Sequence, residues 1–389
     1  MEKLFWIVMI VMAVSFDMTA GSKPIRNQET ERLYKMLHQL VQDRKIMFGM
    51  ANPTTIGFTE GPLNDNYQTS DCKDITGDHP AFHESDFMWY EQDTAFYRYD
   101  VEAMRAAWER GAVIGYCWHM RGPRSNSFYA KKDGKPGLDE HLAMEIVSNP
   151  DRETNKMLDW FLDRYDQYAI PLFKGIGCPV VFRPFHEMTG DWFWWGAQIG
   201  ADTYIKLFQL TVDYLRSQGV DNVLYCWAPD KFADFSFYPG DDYVDVIGLD
   251  IYEPGLTDYY PKAKLLDNLK KICDYAKTHD KVAVWTEVGC RPTDDGVSRY
   301  PELYPNFWTH YVWDILTSNP DAGRVAWVSS WYNADWRNDL SASPYIPYKG
   351  MNKQNSDAAV RDFIKMYDEP SSLFESEMVS YKKRFGLWK

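Results

Sequence analysis

The run Cys178-Pro179-Val180-Val181-Phe182-Arg183-Pro184-Phe185-His186-Glu187, then a helical pattern over 202–218, then Asn222-Val223-Leu224-Tyr225-Cys226-Trp227, decides the fold. A short apolar run ends abruptly in charge. The helical pattern after it stops at Gly219, and a second apolar run begins three residues later. Two strands joined through a helix lie parallel, because a tight hairpin cannot bring the chain back in the same direction. Parallel strands are covered on both faces, so they read as unbroken apolar runs rather than as alternation.

The same rhythm recurs on both sides of this unit. Strands are predicted at 45–50, 81–88, 112–118, 178–182, 222–227, 244–250, 282–286 and 324–330. Helices are predicted over about 28–43, 100–110, 151–174, 202–218, 261–278, 301–317 and 355–367, with Gly111, Gly175 and Gly219 as stops. Eight strands in alternation with helices close a (β/α)8 TIM barrel. The alternative is an open doubly wound sheet, which calls for a Gly-rich turn after its first strand. Gly175-Ile176-Gly177 precedes a strand instead. A single catalytic domain is expected over 28–389, with a C-terminal extension after the last strand. No linker, composition break or solenoid repeat interrupts it.

Composition narrows the partners. The 389 residues carry a net charge of −14, which repels nucleic acid phosphates and anionic headgroups. A neutral polymer fits without conflict. Sixteen Trp and 26 Tyr are about twice the usual share for a globular chain. Their apolar faces and polar edges suit sugar rings. At the N-terminus, Lys3, the apolar run from Leu4 to Phe16 and the small residues Thr19, Ala20 and Gly21 predict an export signal over 1–21. The run is short for a membrane span. The expectation is a secreted, periplasmic or cell-surface monomer that meets a membrane only through an uncleaved signal. Cys72, Cys117, Cys178, Cys226, Cys273 and Cys290 are widely spaced without a CxxC pair, which argues against structural zinc. Cys117, Cys178 and Cys226 fall in strand-like runs and are expected as buried thiols. His79 and His83 have helical metal spacing, but Pro80 between them speaks against a helix. No metal is expected.

In a barrel the chemistry sits at the C-terminal strand ends. The residues there are His119, His186, Glu187, Trp227, Asp250, Tyr252, Glu287 and Trp331. Glu187 and Glu287 each follow an apolar β run directly. A pair of carboxyl groups is what glycoside hydrolysis needs, one to protonate the leaving oxygen and one to attack the anomeric carbon. The donor must begin neutral, which apolar surroundings favour. Glu187 is followed by Met188, Trp192, Phe193, Trp194 and Trp195. Glu287 has Arg291 nearby in sequence, a cation suited to keeping a nucleophile ionised. A structural salt bridge is the plain alternative for either Glu alone, and the pair with its flanks argues against it. A zinc-protease motif starting at His186-Glu187 fails because position 190 is Gly.

The stretch from Phe182 through His186-Glu187-Met188-Thr189-Gly190-Asp191-Trp192 to Gly196 closely resembles the acid/base motif of glycoside hydrolase family 26. Trp285-Thr286-Glu287-Val288-Gly289 resembles its nucleophile motif, and Asp250-Ile251-Tyr252 its strand-six segment. Thr189 stands where the family usually has Asn, which keeps a side-chain oxygen. The resemblance spans about 30–367. It implies a retaining endo-β-1,4-mannanase on a (β/α)8 barrel, acting without a cofactor on mannan, galactomannan or glucomannan. It also implies that Glu187 is the general acid/base and Glu287 the nucleophile. By position, His186 would orient the acid/base, His119 would contact sugar at the cleavage point, Trp192 and Trp331 would stack on sugar, and Tyr252 would hydrogen-bond Glu287. Arg183 is expected to pair with a buried carboxylate. The other readings are a β-glucanase or xylanase on the same barrel, and a polysaccharide-binding barrel without catalysis.

Overall fold

Eight parallel strands form at the predicted places, seven of them in apolar runs and the second in the polar stretch Phe82-His83-Glu84-Ser85-Asp86. They are β1 (Ile46–Ala51), β2 (Phe82–Asp86), β3 (Val113–Trp118), β4 (Val180–Pro184), β5 (Val223–Trp227), β6 (Val246–Ile247), β7 (Val282–Ala283 and Trp285–Val288) and β8 (Trp327–Ser330). The computed structural model describes residues 25–58, 67–91, 94–256, 260–290, 299–334 and 344–388. The segment 1–21 expected to be a signal, and Arg291, lie outside them.

The strands pair in chain order, and β8 returns to β1. Strand β7 closes the ring from both sides. Its first half pairs with β6 and its second half with β8, and the break falls at Val284. Val284 N donates to Ile247 O at 2.9 Å and Thr286 N to Leu249 O at 2.9 Å, so the seam beside β6 continues through the break. The nine parallel segments of the ring are therefore eight strands, one of them interrupted. The barrel expected from the sequence is present.

Interior side chains fill the barrel. The Phe82 ring stacks on Trp327 at 4.5 Å and 20° between planes. A Cβ at position 115 would stand 2.6 Å from that ring, so glycine at 115 is what admits it. Met47, Val113, Val181, Leu224, Val246, Val282 and Val284 belong to the same buried cluster. Leu33, Met36, Leu37 and Leu40 of helix Gln28–Asp43 join it from outside the ring. That helix has the predicted bounds. Asn27 caps it by accepting from Thr30 N at 2.9 Å, and acidic Glu29 and Glu31 sit in its first turn.

Several predicted helices are corrected. The stretch expected as one helix over 151–174 is Lys156–Arg164, a π-helical segment Tyr165–Ala169 and Ile170–Ile176, with a separate short helix at Leu142–Val147. Asn155 sets the later start, accepting from Met157 N and Leu158 N. The stop comes two residues late, at Gly177 (φ +80°) rather than Gly175. The predicted 301–317 helix is a π-helical Phe307–Trp313 running into Asp314–Ser318. Between β5 and β6 only the 3-10 turn Phe235–Phe237 appears. The C-terminal extension docks on the barrel. Ser372–Leu373 pairs in parallel with Ile46 and Met47, and helix Glu375–Arg384 follows. Lys382 fixes that helix by donating to Trp108 O at 2.7 Å and Ala112 O at 2.8 Å.

All six cysteines are buried thiols without a bridge. Among the described residues no helix is long and apolar enough to cross a membrane.

Candidate active site

The C-terminal strand ends open onto a cleft of about 730 Å³. His119, His186, Glu187, Trp192, Tyr252, Glu287 and Trp331 all line it. Every binding or catalytic side chain singled out in the sequence is therefore brought to one place, from β3, β4, β6, β7 and β8.

The loop after β4 is shaped to present its side chains. Phe185 (φ +51°) and Glu187 (φ +57°) are both left-handed, and so are Lys231 (φ +53°) after β5 and Glu253 (φ +52°) after β6. Such residues cost roughly 1–3 kcal/mol each and concentrate at functional sites. Backbone bonds hold the turn in place. Glu187 N donates to Ala228 O at 2.8 Å and Gly190 N to Glu187 O at 3.0 Å. Thr189 takes part in two further bonds, donating its hydroxyl to Asp230 O at 2.9 Å and accepting from Asp230 N at 3.0 Å. The Trp192 indole N–H donates to Glu187 Oε2 at 2.8 Å. Trp192 thus steadies the acid/base candidate as well as walling the cleft.

Glu287 is 5% exposed and both of its oxygens accept. Arg183 Nη2 donates to Oε1 at 2.7 Å and the Tyr252 hydroxyl to Oε2 at 2.6 Å. An ionised carboxylate is acceptor-only, so this arrangement suits the charged form of a nucleophile. Tyr252 stands as expected from the sequence. The cation contacting Glu287 is Arg183 of β4, 104 residues away in the chain. Arg291, the cation expected near Glu287, lies outside the described residues.

Arg183 holds more than Glu287. It is fully buried, and its Nε and Nη2 donate to Glu84 at 3.0 and 2.6 Å while Nη1 donates to Asp250 Oδ2 at 2.9 Å. One guanidinium serves three buried carboxyl groups. Burial pushes Asp250 well above the usual carboxylate range, Arg183 pulls it down, and Glu287 and Glu187 push it further up. Burial likewise raises Glu84 against the pull of Arg183. Removing the guanidinium should be costly. Arg183→Met is expected to lower stability by about 3–5 kcal/mol, since it strands buried carboxyl groups. For a chain of this size that is about 4–7 °C in melting temperature. A calorimetric scan showing an unchanged melting temperature would refute the network's structural role.

The histidines form a second chain of contacts. His119 N donates to Asp86 Oδ1 at 3.0 Å, its Nδ1 lies 2.6 Å from Asp86 Oδ2, and its Nε2 lies 3.2 Å from His186 Nε2. Burial alone would lower His119, but Asp86 overrides it and holds the imidazole above its ordinary value. Burial first, then the charges of Arg183 and His119, push His186 well below. The two imidazoles are therefore pushed in opposite directions, His119 up and His186 down. His186 Nε2 is 3.9 Å from Glu287 Oε1. His186 thus stands beside both His119 and the nucleophile candidate. Trp331 meets the His119 ring edge-on at 5.7 Å. Asp86, Cys117 and His119 stand close enough to resemble a metal-ligand cluster. The Asp86–His119 hydrogen bond already occupies two of those three groups.

Sequence reasoning missed Glu84, Asp86, Tyr129, Lys231 and Tyr345 as parts of the site. Glu84 and Asp86 carry the one readable signal, two carboxylates two residues apart in the predicted second strand, where an interior face would be apolar. Lys231 Nζ pairs with Asp230 Oδ2 at 3.0 Å and lies 5.8 Å from the Trp192 ring.

With the carboxylate pair and its partners placed, comparison with known proteins is decisive. A family profile described as glycosyl hydrolase family 26 matches residues 22–338. The chain belongs to glycosyl hydrolase family 26. Among curated relatives in the family, a mannan endo-1,4-beta-mannosidase of Bacillus subtilis is 27% identical over 85% of this chain and 92% of its own length. The mannan endo-1,4-beta-mannosidase A and B of Caldalkalibacillus mannanilyticus is 28% identical over 66% of this chain. The chain spans about half the length of that relative, 52% of it. Among solved structures, a family 26 β-mannanase from Bacteroides ovatus superposes with a TM-score of 0.70. It is 26% identical, over 90% of this chain and 96% of that one. The two curated relatives are named as mannan endo-1,4-beta-mannosidases and the solved structure as a β-mannanase.

Proposed function

We propose that this family 26 chain cleaves β-1,4-mannosidic bonds in mannan, galactomannan or glucomannan by a retaining double displacement. The observation that carries the proposal is the division of labour between two carboxyl groups in one cleft. Glu287 accepts from Arg183 and Tyr252, and Glu187 is held by an indole among aromatic side chains. Glu287 attacks the anomeric carbon while Glu187 gives its proton to the departing oxygen. The glycosyl ester on Glu287 is then opened by a water that Glu187 deprotonates, and the carboxylate of Glu287 is released. Two inversions leave the configuration retained. Arg183 and Tyr252 follow the charge on Glu287 as it is lost in the first step and restored in the second.

The polymer is read from the family and its curated relatives, which are named as mannan hydrolases. The neutral sugar fits a chain whose net charge is −14. A product profile on mannan, galactomannan, glucomannan, xylan and lichenan tests the reading. Oligosaccharides should be released from the first three. Release from xylan or lichenan alone would overturn the assignment to mannan.

A further inference from the structure

Among the described residues five large apolar side chains are strongly exposed: Ile25, Tyr129, Leu138, Met144 and Leu303. Tyr129 is the one that lines the cleft. It is 50% exposed, whereas Glu187 beside it in the lining is 6% exposed. A half-exposed ring in the lining of a binding cleft offers its apolar face and polar edge to whatever the cleft holds.

The ring is also held still. Its backbone forms an antiparallel bridge with Phe193, flanked by Trp194 N donating to Phe128 O at 3.1 Å and Ala130 N to Trp192 O at 2.6 Å. The loop after β3 is thereby stitched to the loop that carries Glu187 and Trp192. The Tyr129 ring lies near-parallel to Phe193, with centroids 6.0 Å apart and 23° between planes, and meets Phe128 at 4.6 Å. Beyond it the chain folds back in a hairpin, Lys131–Lys132 against Lys135–Pro136, turned by Asp133 (φ +53°) and Gly134 (φ +71°). Positive φ at both central residues is the tight hairpin turn whose twist matches its strands. Lys131 pairs with Asp191 and ties the hairpin base to the Glu187 loop. A ring fixed before a sugar arrives loses little freedom when it binds one.

Glu187 must touch the leaving oxygen, so the wall built from its own loop borders the leaving part of the chain. We infer that Tyr129 is a stacking platform for a neutral hexopyranose unit on the leaving-group side, beyond the unit next to the cleaved bond. This rests on the proposed hydrolysis, and it adds a specificity-determining residue to it. Its consequence is that long chains are favoured over substrates whose leaving group carries no sugar.

The experiment compares kcat/KM for mannohexaose with kcat/KM for 2,4-dinitrophenyl β-mannobioside, using the full chain, Tyr129→Ala and Tyr129→Trp. The ratio of the two should fall about five-fold or more in Tyr129→Ala, the scale of one aromatic contact. It should stay level or rise in Tyr129→Trp. A merely structural role would lower both substrates together and leave the ratio unchanged, which overturns the inference. A fall of the ratio in Tyr129→Trp would overturn it as well, even if the alanine variant does not fold. Failure of the unaltered chain to cleave either substrate would instead sink the proposed hydrolysis, and the platform with it.

Discussion

Glu287→Ala should lower kcat on mannan by about 10⁵-fold, the scale seen when a covalent nucleophile is deleted. That is about 7 kcal/mol of barrier. The size follows from the surroundings of Glu287. Arg183 and Tyr252 are aimed at its two oxygens, at 2.7 and 2.6 Å, and without the carboxylate they have no charge to follow. Loss of activity alone would not separate a missing nucleophile from a collapsed site, so a second readout is needed. Alanine opens the face of the sugar that Glu287 occupied. Azide supplied to the variant with 2,4-dinitrophenyl β-mannobioside should attack from that face and release the α-mannosyl azide, an inverted product. Recovery of the β-azide from this variant would mean that another residue is the nucleophile. Folding should be nearly intact, because Arg183 keeps Glu84 and Asp250 as partners.

Glu187→Ala should cost about 10³–10⁴-fold on mannan, the upper range for general acid–base catalysis. The loss should depend on the leaving group. A sugar alkoxide leaves only with a proton, whereas dinitrophenolate leaves without one. With the dinitrophenyl substrate the first step should therefore survive, and the glycosyl–enzyme should accumulate as a burst because no base activates water. Azide needs no base and should speed turnover, attacking the intermediate from the leaving-group face to give the β-azide with overall retention. Opposite azide anomers from the two variants would assign the two roles independently. Equal losses on both substrates with no burst would remove Glu187 from the acid/base role. Trp192 loses its acceptor in this variant, so a small change in sugar binding is expected alongside.

The barrel was readable because most of its strands are apolar on both faces and end in polarity, β2 with His83, Glu84, Ser85 and Asp86 being the exception. Glu187 and Glu287 stood out for the same reason, as carboxylates directly after buried runs. Helix Gln28–Asp43 was readable as an amphipathic run at about 28–43, and in the structure Asn27 and the first-turn acids mark its start. The failures have physical causes. Val284 is apolar, so nothing in composition shows that β7 pauses there. The 151–174 pattern stayed apolar-periodic through a π-helical turn, which sequence period does not distinguish. Helix Glu375–Arg384 went unnoticed because only Glu375, Met378 and Lys382 are its buried residues, two of them charged. In the site, the cation seen on Glu287 among the described residues comes from β4, 104 residues away in the chain. Arg183, Glu84, Asp250 and Glu287 meet only because the barrel closes.

The central claim is that Glu287 becomes covalently mannosylated and that Glu187 drives both steps. A 2-deoxy-2-fluoro-mannosyl fluoride slows both steps, but its good leaving group lets the first outrun the second, so the intermediate is trapped. Intact-mass measurement followed by peptide mapping reads the outcome. The account expects one added fluorosugar per chain, on the peptide containing Trp285-Thr286-Glu287 and located at Glu287. A label on another residue would contradict it, as would an unlabelled chain that releases the inverted sugar.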